Sequence, residues 1–425
     1  MSFKEEEPIL VTPTAKFKSW TYLPPAQDTC SDRLSSYTMR GSKISNSKIL
    51  RYRAEWKSAL AQLGPPPRVN GRGAIYCVYP KILKEAIVSI QFLLESGWEY
   101  PIQVWHSSEL GRFEINMLEA YRVSVYNIAD YHNSSILPAL KDVDSSGGIL
   151  AHSHYEIKGL ALLNTSLDEI LYLDADNMPL SNPAALFDSD AYRETRTVFW
   201  KDFWKTHPKN HIWRILDIPC TNEFEQESGQ LVFKKSDPGV WKALNLAVYM
   251  QVNRDLYFDL LWGDKDTFRL AWRAMHVPYH MVRPHVAALG YLYSGYFYGQ
   301  SMVQYAPYWS TADNGPAPGN HTDSRYPEPM FVHANLLKYV RYVPGETFST
   351  LLRYRNPVTS ESHASVYPSL FHWFRVSTNL LPYMKDGVVQ ETVYQDFKDL
   401  YPKFDVMYQQ FSNKFNIRAG RSENM

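Results

Sequence analysis

Cysteine is scarce in this 425-residue chain, at three positions (Cys30, Cys77 and Cys220), and no two of them stand in a CxxC spacing. A disulfide framework is thereby excluded, and at most one bridge can form. Long apolar runs are missing as well: no stretch reaches the roughly 18 to 20 residues that a membrane-crossing helix needs. The opening MSFKEEEPILVTP lacks the basic end and apolar run of a signal peptide. From these residues alone neither anchor nor export signal is expected, and the sequons at Asn133, Asn164 and Asn320 would matter only in a secretory protein. An excess of one charge is absent too, because 44 Lys+Arg balance 44 Asp+Glu. That argues against a general nucleic-acid binder, which carries a basic patch or excess. Neither a GxGxxG nor a GxxxxGK[ST] phosphate loop occurs, and there is no internal repeat. What is plentiful is apolar and aromatic material, 45% and 15% of residues, including 12 Trp, 30 Tyr and 20 Phe. An extended disordered chain lacks such residues, so a folded protein with a large core and aromatic-lined clefts is expected.

Residues 1–65 read as an N-terminal extension rich in Ser, Lys and Pro, with one helical pattern near 46–62, and Pro65–Pro67 break the chain after it. From there the hydrophobic period alternates between strand and helix. Gly73–Tyr79, Ile102–Trp105, Val123–Ile128 and Glu169–Leu173 read as strands. Lys81–Ser96, Glu109–Tyr121 and Tyr155–Asn164 read as the helices between them. The β-α-β-α-β-α-β order implies an α/β fold with a mostly parallel, Rossmann-like sheet flanked by helices, and ligands bound at the strands' carboxyl ends. Farther on, Gln230–Phe233 and Met330–His333 are strand-like, and Trp241–Asn253 and Lys265–Met275 helix-like. Residues 66–345 are read as the main domain. Residues 346–425, with helical patterns near 366–375 and 391–414, are read as a C-terminal helical and aromatic extension packed on that core.

The strongest chemical clue is Leu171-Tyr172-Leu173-Asp174-Ala175-Asp176-Asn177. Asp-x-Asp is common here, since Asp142/Asp144, Asp188/Asp190 and Asp264/Asp266 repeat it, but only the pair at 174 and 176 follows directly on an apolar strand. In an extended backbone residues i and i+2 face the same side. Two carboxylates then stand together at a strand's end, hard oxygen ligands suited to Mg²⁺ or Mn²⁺ on a diphosphate; a solvated acidic loop is the bland alternative. A second strand-like segment ends at His333, whose imidazole favours Mn²⁺, and Lys338 five residues on can meet phosphate oxygens as a point charge. Glu227 precedes a small-residue turn entering a strand, and Asp264 and Asp266 begin a helix, where capping is the competing explanation.

Taken together, WHSSELGRFE (105–114), EILYLDADNMPLSNPAALFDS (169–189), VFWKDFW (198–204), ESGQLVFKKS (227–236), GDKDTFRLAW (263–272), GQSMVQ (299–304) and FVHANLLK (331–338) resemble, in order, the fungal α-mannosyltransferases of the Mnn type, glycosyltransferase family 71. More distantly they are similar to glycogenin-like retaining transferases. The resemblance implies a GT-A-type nucleotide-sugar transferase fold, GDP-mannose as donor, a glycan or other hydroxyl as acceptor, and Mn²⁺-dependent transfer with retention, Mg²⁺ being the alternative ion. It implies Asp174, Asp176 and His333 as metal ligands. Asp174, Asp176, Gly229, Lys265 and Lys338 would contact the donor, and Glu227, Asp264 and Asp266 would surround the transferred sugar as catalytic residues. The lysine spacing after the histidine is shorter than in glycogenin-like proteins, and the glycine between them is missing.

Bond breaking develops negative charge on the leaving oxygen and oxocarbenium character on the ring, offset by a cation and by carboxylates respectively. Retention could arise through a covalent intermediate, with Glu227 the first candidate nucleophile and Asp264 the second, or through acceptor attack on the face that the diphosphate leaves. Trp200, Phe203, Trp204, Trp213, Tyr291, Tyr293, Tyr296, Phe297 and Tyr298 are candidates for stacking on an acceptor, with core packing as the alternative. The Gly/Pro-rich stretch 308–329 reads as a lid or acceptor selector. Competing functions are a same-fold transferase using a UDP-sugar or a small-molecule acceptor, and a non-catalytic carbohydrate-binding protein. Location is the open conflict: the resemblance implies the Golgi lumen, whereas the absence of an anchor leaves a cytoplasmic alternative.

Overall fold

The computed structural model describes residues 30, 37–38, 44–131, 156–294, 296–307, 328–339, 341–354, 376–377 and 392–420. The chain opens with β1 (Tyr37–Thr38), α1 (Asn46–Leu60), β2 (Arg72–Cys77), α2 (Leu83–Glu95), β3 (Ile102–His106), α3 (Arg112–Glu119), β4 (Ser124–Asn127), α4 (Glu156–Asn164) and β5 (Glu169–Leu173). Strands β2 to β5 form a parallel core in the order β4-β3-β2-β5, each crossover made by the helix between them. This is the expected α/β arrangement, and its elements agree with the sequence reading to within a few residues.

Alternation within β2 shows why the sheet is buried on both sides. Ile75 and Cys77 join one apolar cluster, while Ala74 and Tyr76 join the cluster on the opposite face. Side chains in a strand alternate, and a strand covered on both faces reads as one continuous apolar run.

After β5 come β6 (Asn177–Pro179), α5 (Asp190–Thr195), β7 (Thr197–Thr206), α6 (Ile212–Leu216), β8 (Phe224–Lys234), α7 (Pro238–Val252), α8 (Arg254–Leu260), α9 (Lys265–Ala274) and β9 (His280–Met281). Strand β8 adds to β5 antiparallel, β7 adds to β8 antiparallel, and β1 and β9 pair with β7 in parallel. The first sheet is therefore mixed, with a parallel half and an antiparallel flank.

A second sheet, all antiparallel, shows in the sequence only at Met330–His333, one of its strands. It comprises β6, β10 (Ala287–Tyr293), β11 (Tyr296–Tyr305), β12 (Pro329–His333), β13 (Thr350–Tyr354), β14 (Val376–Ser377) and β15 (Thr392–Asp396), in the order β15-β13-β10-β11-β12-β6 with β14 on β11. Part of the segment read as helical from 391 is thus the strand β15, followed by α10 (Phe397–Leu400) and α11 (Phe404–Gly420). The helical pattern near 366–375 lies outside the described residues. Helix α2 is wedged between the sheets: Ile87 and Ile90 face the parallel one, Val88 and Phe92 the antiparallel one. Phe92 meets Phe404 and Phe411 of α11 at ring-centre distances of 4.9 and 5.3 Å, which docks the C-terminal helix. At the other end Trp56 of α1 is buried in the main core and donates to Ile215 O at 2.9 Å. The one bridge that the cysteine count permits joins Cys30 to Cys220, and Cys77 is buried and free.

Candidate active site

Strand β5 stops at Leu173 and β6 starts at Asn177, so Asp174, Ala175 and Asp176 make the turn that carries the chain from one sheet to the other. Asn177 N donates to Asp174 O at 3.0 Å and closes the turn; Asp174 N donates to Gly229 O, and Ala334 N to Asp176 O, both at 2.8 Å. The carboxylates therefore converge through a turn, not through the strand alternation that the sequence suggested. Asn177 is fully buried and clamps the junction, donating from Nδ2 to Gly229 O and Gln230 Oε1, both at 2.7 Å.

Register brings the histidine in. Strand β12 pairs with β6 so that His333 stands opposite Asn177. His333 Nε2 lies 3.0 Å from Asp176 Oδ1 and 3.8 Å from Asp174 Oδ2. One ligand atom from each of the three residues falls within 4.8 Å of the others. On the far side of the ring, Nδ1 is 3.1 Å from Glu227 Oε1, which also accepts from Gly229 N at 2.6 Å.

The electrostatics follow from burial among acids. Burial alone would favour the neutral imidazole, but Glu227 and Asp176 together raise the His333 pKa well above its ordinary value. Burial opposes ionisation of Asp176 and Glu227, yet the charge and hydrogen bonding of His333 hold both below the usual carboxylate range. Asp174 goes the other way: burial pushes it up, against the pull of Lys158 and His333. Two carboxylates and an imidazole are the ligand types for Mn²⁺ or Mg²⁺. Beside them, Glu227 Oε2 is buried with no hydrogen-bond partner among the described residues. A fixed, unsatisfied buried oxygen of that kind calls for a ligand group, so the residues fit a cation and a polar ligand next to it.

Glycine at 229 has a steric reason. A side-chain carbon there would lie 2.5 Å from His333 Nδ1 and 2.9 Å from Glu227 Oε1. Gly229, expected to face the donor, is placed instead against the imidazole.

Lys158 escaped the sequence reading. It lies on α4, and its Nζ sits 3.2 Å from Asp174 Oδ1, 2.9 Å from Asp264 Oδ2 and 3.0 Å from Ser228 Oγ, with the Tyr172 ring centre at 4.8 Å. Tyr172 in turn donates to Asp174 Oδ1 at 2.7 Å. Burial disfavours the ammonium, but Asp174 and Asp264 raise its pKa and keep it charged. The available signal was a lone lysine in an otherwise apolar helix.

The acids at the start of α9 part company. Asp264 occupies the N-cap position but makes no side-chain cap bond; it turns to Lys158 and lines the cavity. Asp266 does not line the cavity. It accepts from Gln226 N at 3.0 Å and from the fully buried Arg269, also at 3.0 Å, tying α9 to β8. Lys265 is caged by Asp202, Glu225 and Asp266 at 2.8, 2.6 and 3.0 Å.

Asp174, Asp176, His333, Glu227, Lys158, Asp264 and Lys265 line one cavity of about 880 Å³. Lys338 reaches its edge, with Nζ 3.4 Å from Asp176 Oδ2. Of the aromatics considered for an acceptor, Phe203 and Trp204 line it. Trp200 and Trp213 are core residues whose indoles donate to Tyr305 O and His207 O. Phe297 is buried elsewhere, and Tyr291 and Tyr298 stack on each other at 5.1 Å, away from the cavity. Residues 308–327, most of the stretch read as a lid, lie outside the described residues.

Comparison with known proteins adds the family. The chain is 29% identical over 201 residues to alpha-1,2-mannosyltransferase MNN22 of Candida albicans, covering 36% of this chain and 34% of that protein. It is 24% identical over 323 residues to MNN21 of the same organism, covering 64% and 48%, and 26% identical over 195 residues to MNN2 of Saccharomyces cerevisiae, covering 36% and 32%. The chain thus spans a third to about half the length of these curated relatives. Among solved structures, the mannosyltransferase Ktr4p of S. cerevisiae in complex with GDP matches at 13% identity and a TM-score of 0.34, over 68% of this chain and 89% of that one. The galactosyltransferase LgtC with donor and acceptor sugar analogues matches at 13% identity and 0.34, over 50% and 73%. The family model described as "Mannosyltransferase putative" matches residues 71–226 and 220–306, more than half of the 425 residues, and the chain therefore belongs to the Mannosyl_trans3 family.

Proposed function

We propose that this chain is a metal-dependent, retaining α-mannosyltransferase of the GT-A type, moving mannose from GDP-mannose to a hydroxyl of a glycan or glycosylated acceptor. The observation that carries this reading is the convergence of Asp174, Asp176 and His333 at the junction of the two sheets, with Glu227 against the same imidazole. Family membership and relatives named as alpha-1,2-mannosyltransferases support mannose as the sugar.

Asp174, Asp176 and His333 would hold a divalent cation, Mn²⁺ with Mg²⁺ as the alternative, whose charge offsets that developing on the departing diphosphate. Lys338 beside Asp176 adds a second positive charge on the same side. Glu227 is fixed through Oε1, which accepts from Gly229 N and faces His333 Nδ1, and its unengaged Oε2 is placed to stabilise positive character on the sugar ring. Lys158 pairs with Asp264 and Asp174 and fixes both in direction; Asp266 ties β8 to α9 from behind, and Lys265, at the cavity wall, holds Asp202 and Glu225. Retention would come either from Glu227 displacing GDP at the anomeric carbon to give a mannosyl ester that the acceptor hydroxyl then displaces, or from acceptor attack on the face that GDP leaves, and mass spectrometry of trapped protein separates the two.

For location we propose the lumen of the secretory pathway, the Golgi by family. The Cys30–Cys220 bridge supports an oxidising compartment. Among the described residues no helix is long and apolar enough to cross a membrane.

The test is a thermal-shift screen of GDP, UDP and their sugars with and without Mn²⁺, followed by transfer assays. Stabilisation by GDP that requires Mn²⁺, with turnover of GDP-mannose, is expected. Stabilisation by UDP alone, or turnover indifferent to chelation, would overturn the assignment.

A further inference from the structure

The strands of the first sheet run β3, β2, β5, β8, β7, and the cavity draws lining residues from that whole series. Tyr79 stands just past β2, Asp174 just past β5, Glu227 on β8 and Trp204 on β7. Neighbouring strands are about 4.8 Å apart, so about 14 Å separates the β2 end from the β7 end. The metal-binding turn lies in between. A ligand that places its diphosphate on that turn has one end over β2 and the other over β8 and β7.

The β7 end differs in chemistry from the rest. Of the large apolar side chains exposed among the described residues, Trp262 alone lines the cavity, and it is 53% exposed. It precedes Gly263, whose φ of 73° is in the left-handed region, so the chain turns sharply between Trp262 and Asp264. Phe203 and Trp204 line the same cavity, and Lys265, three residues after Trp262, pairs with Asp202 next to them in β7. Between them and α9, Asp202 is locked in place: its carboxylate accepts from Phe203 N at 2.6 Å and pairs with Lys265 Nζ at 2.8 Å. An exposed indole and two half-buried rings with a fixed carboxylate in the same cavity match a pyranose, whose C–H face packs on an aromatic plane while its hydroxyls donate to an acceptor oxygen.

We propose that Trp262, with Phe203 and Trp204, is the stacking platform of an acceptor-sugar subsite, in which a pyranose lies flat on the indole and a hydroxyl donates to Asp202. Its designation as the acceptor side rests on the transferase reading above; the stacking itself does not. Trp262 is on this account a specificity-determining residue, because a flat ring selects sugars with an unobstructed apolar face.

The experiment is saturation-transfer NMR of the full chain with manno-, gluco- and galacto-configured disaccharides, without nucleotide. Saturation of C–H protons on one ring is expected for the manno compounds. In Trp262→Ala binding weakens about tenfold, and Trp262→Phe, which keeps a flat ring, restores most of it. In transfer assays the acceptor KM of Trp262→Ala rises about tenfold and the donor KM does not follow. Absence of saturation by any of the sugars in the wild type would overturn the proposal, as would equal binding by Trp262→Ala, or donor and acceptor KM rising together. Failure of GDP and Mn²⁺ to bind sinks the transferase reading alone, since the sugar titration stands without them.

Discussion

Gly229 leaves His333 no slack: a methyl group at position 229 would lie 2.5 Å from the imidazole Nδ1. The β8 backbone is thus one wall of the histidine's slot, and Glu227, 3.1 Å from the same nitrogen, is another. Gly229→Ala should displace the ring and weaken Mn²⁺ binding by about 10- to 100-fold, the usual cost of disturbing a ligand's support. Isothermal titration with Mn²⁺ measures it. Affinity equal to wild type would mean that the ring is not a ligand or is free to move aside.

Asp176→Ala tests the centre itself. Its carboxylate takes His333 on one oxygen and Lys338 on the other. Removing it should cut transfer by at least about a thousandfold, because positioning and charge stabilisation at the diphosphate are lost together. Circular dichroism should be unchanged. Full turnover by a folded variant would remove the site assignment.

The sequence disclosed those parts of the molecule whose signal is local. Strands β2, β3 and β5 are short apolar runs, and α2 repeats its apolar residues at helical spacing, so the parallel half could be read directly. Strand β7 could not, because Lys201, Asp202 and Lys205 interrupt its apolar run and their partners come from elsewhere, Lys201 bonding Arg283 O and Asp202 pairing with Lys265. Apart from Met330–His333 the antiparallel sheet was hidden for the same reason: β6 is three residues long and pairs with β12. Asp174, Asp176 and His333 were readable as residue types, but what unites them is register. Lys158 was unreadable as a site residue, since its partners Asp174 and Asp264 come from the β5–β6 turn and the start of α9.

Lys158 supplies the next expectation. Its ammonium is the cation shared by Asp174 and Asp264, so Lys158→Met leaves two carboxylates with lost compensation in a low-dielectric setting. Breaking a buried pair in this way costs about 3 to 5 kcal/mol. Urea denaturation should show that loss, and Asp264→Asn added to Lys158→Met should recover part of it. A single variant as stable as wild type would show that the lysine does not hold these acids.

The Cys30–Cys220 bridge ties a segment before α1 to the loop before β8, 190 residues apart in sequence. By the chain-entropy argument, closing so long a loop stabilises the fold by up to about 5 kcal/mol. Cys220→Ser should lower the denaturation midpoint, and dithiothreitol should do the same to the wild type but not to the variant. Equal sensitivity of both to the reductant would rule the bridge out.

Lys235 gives a pH test far from the site. It is fully buried at the end of β8, where its ammonium donates to the carbonyls of Leu163 and Thr165, and burial pulls its pKa from 10.5 down to about 7. The unfolded chain keeps this proton up to its ordinary pKa while the folded chain gives it up near 7. Between those values the unfolded state binds more protons, so this lysine makes stability rise with pH, by at most about 1.4 kcal/mol per unit. His280 acts with the same sign lower down: burial first, then nearby cations, pull its pKa to about 4, so stability falls as pH drops from 6.5 towards 4. Lys235→Met should therefore be more stable than wild type at pH 7, with the gap closing between pH 7 and 9, while both lose stability alike below pH 6.5. Urea titrations of the two proteins across pH 5 to 9 measure this, and a gap that does not change between pH 7 and 9 would show that Lys235 keeps its proton in the folded state.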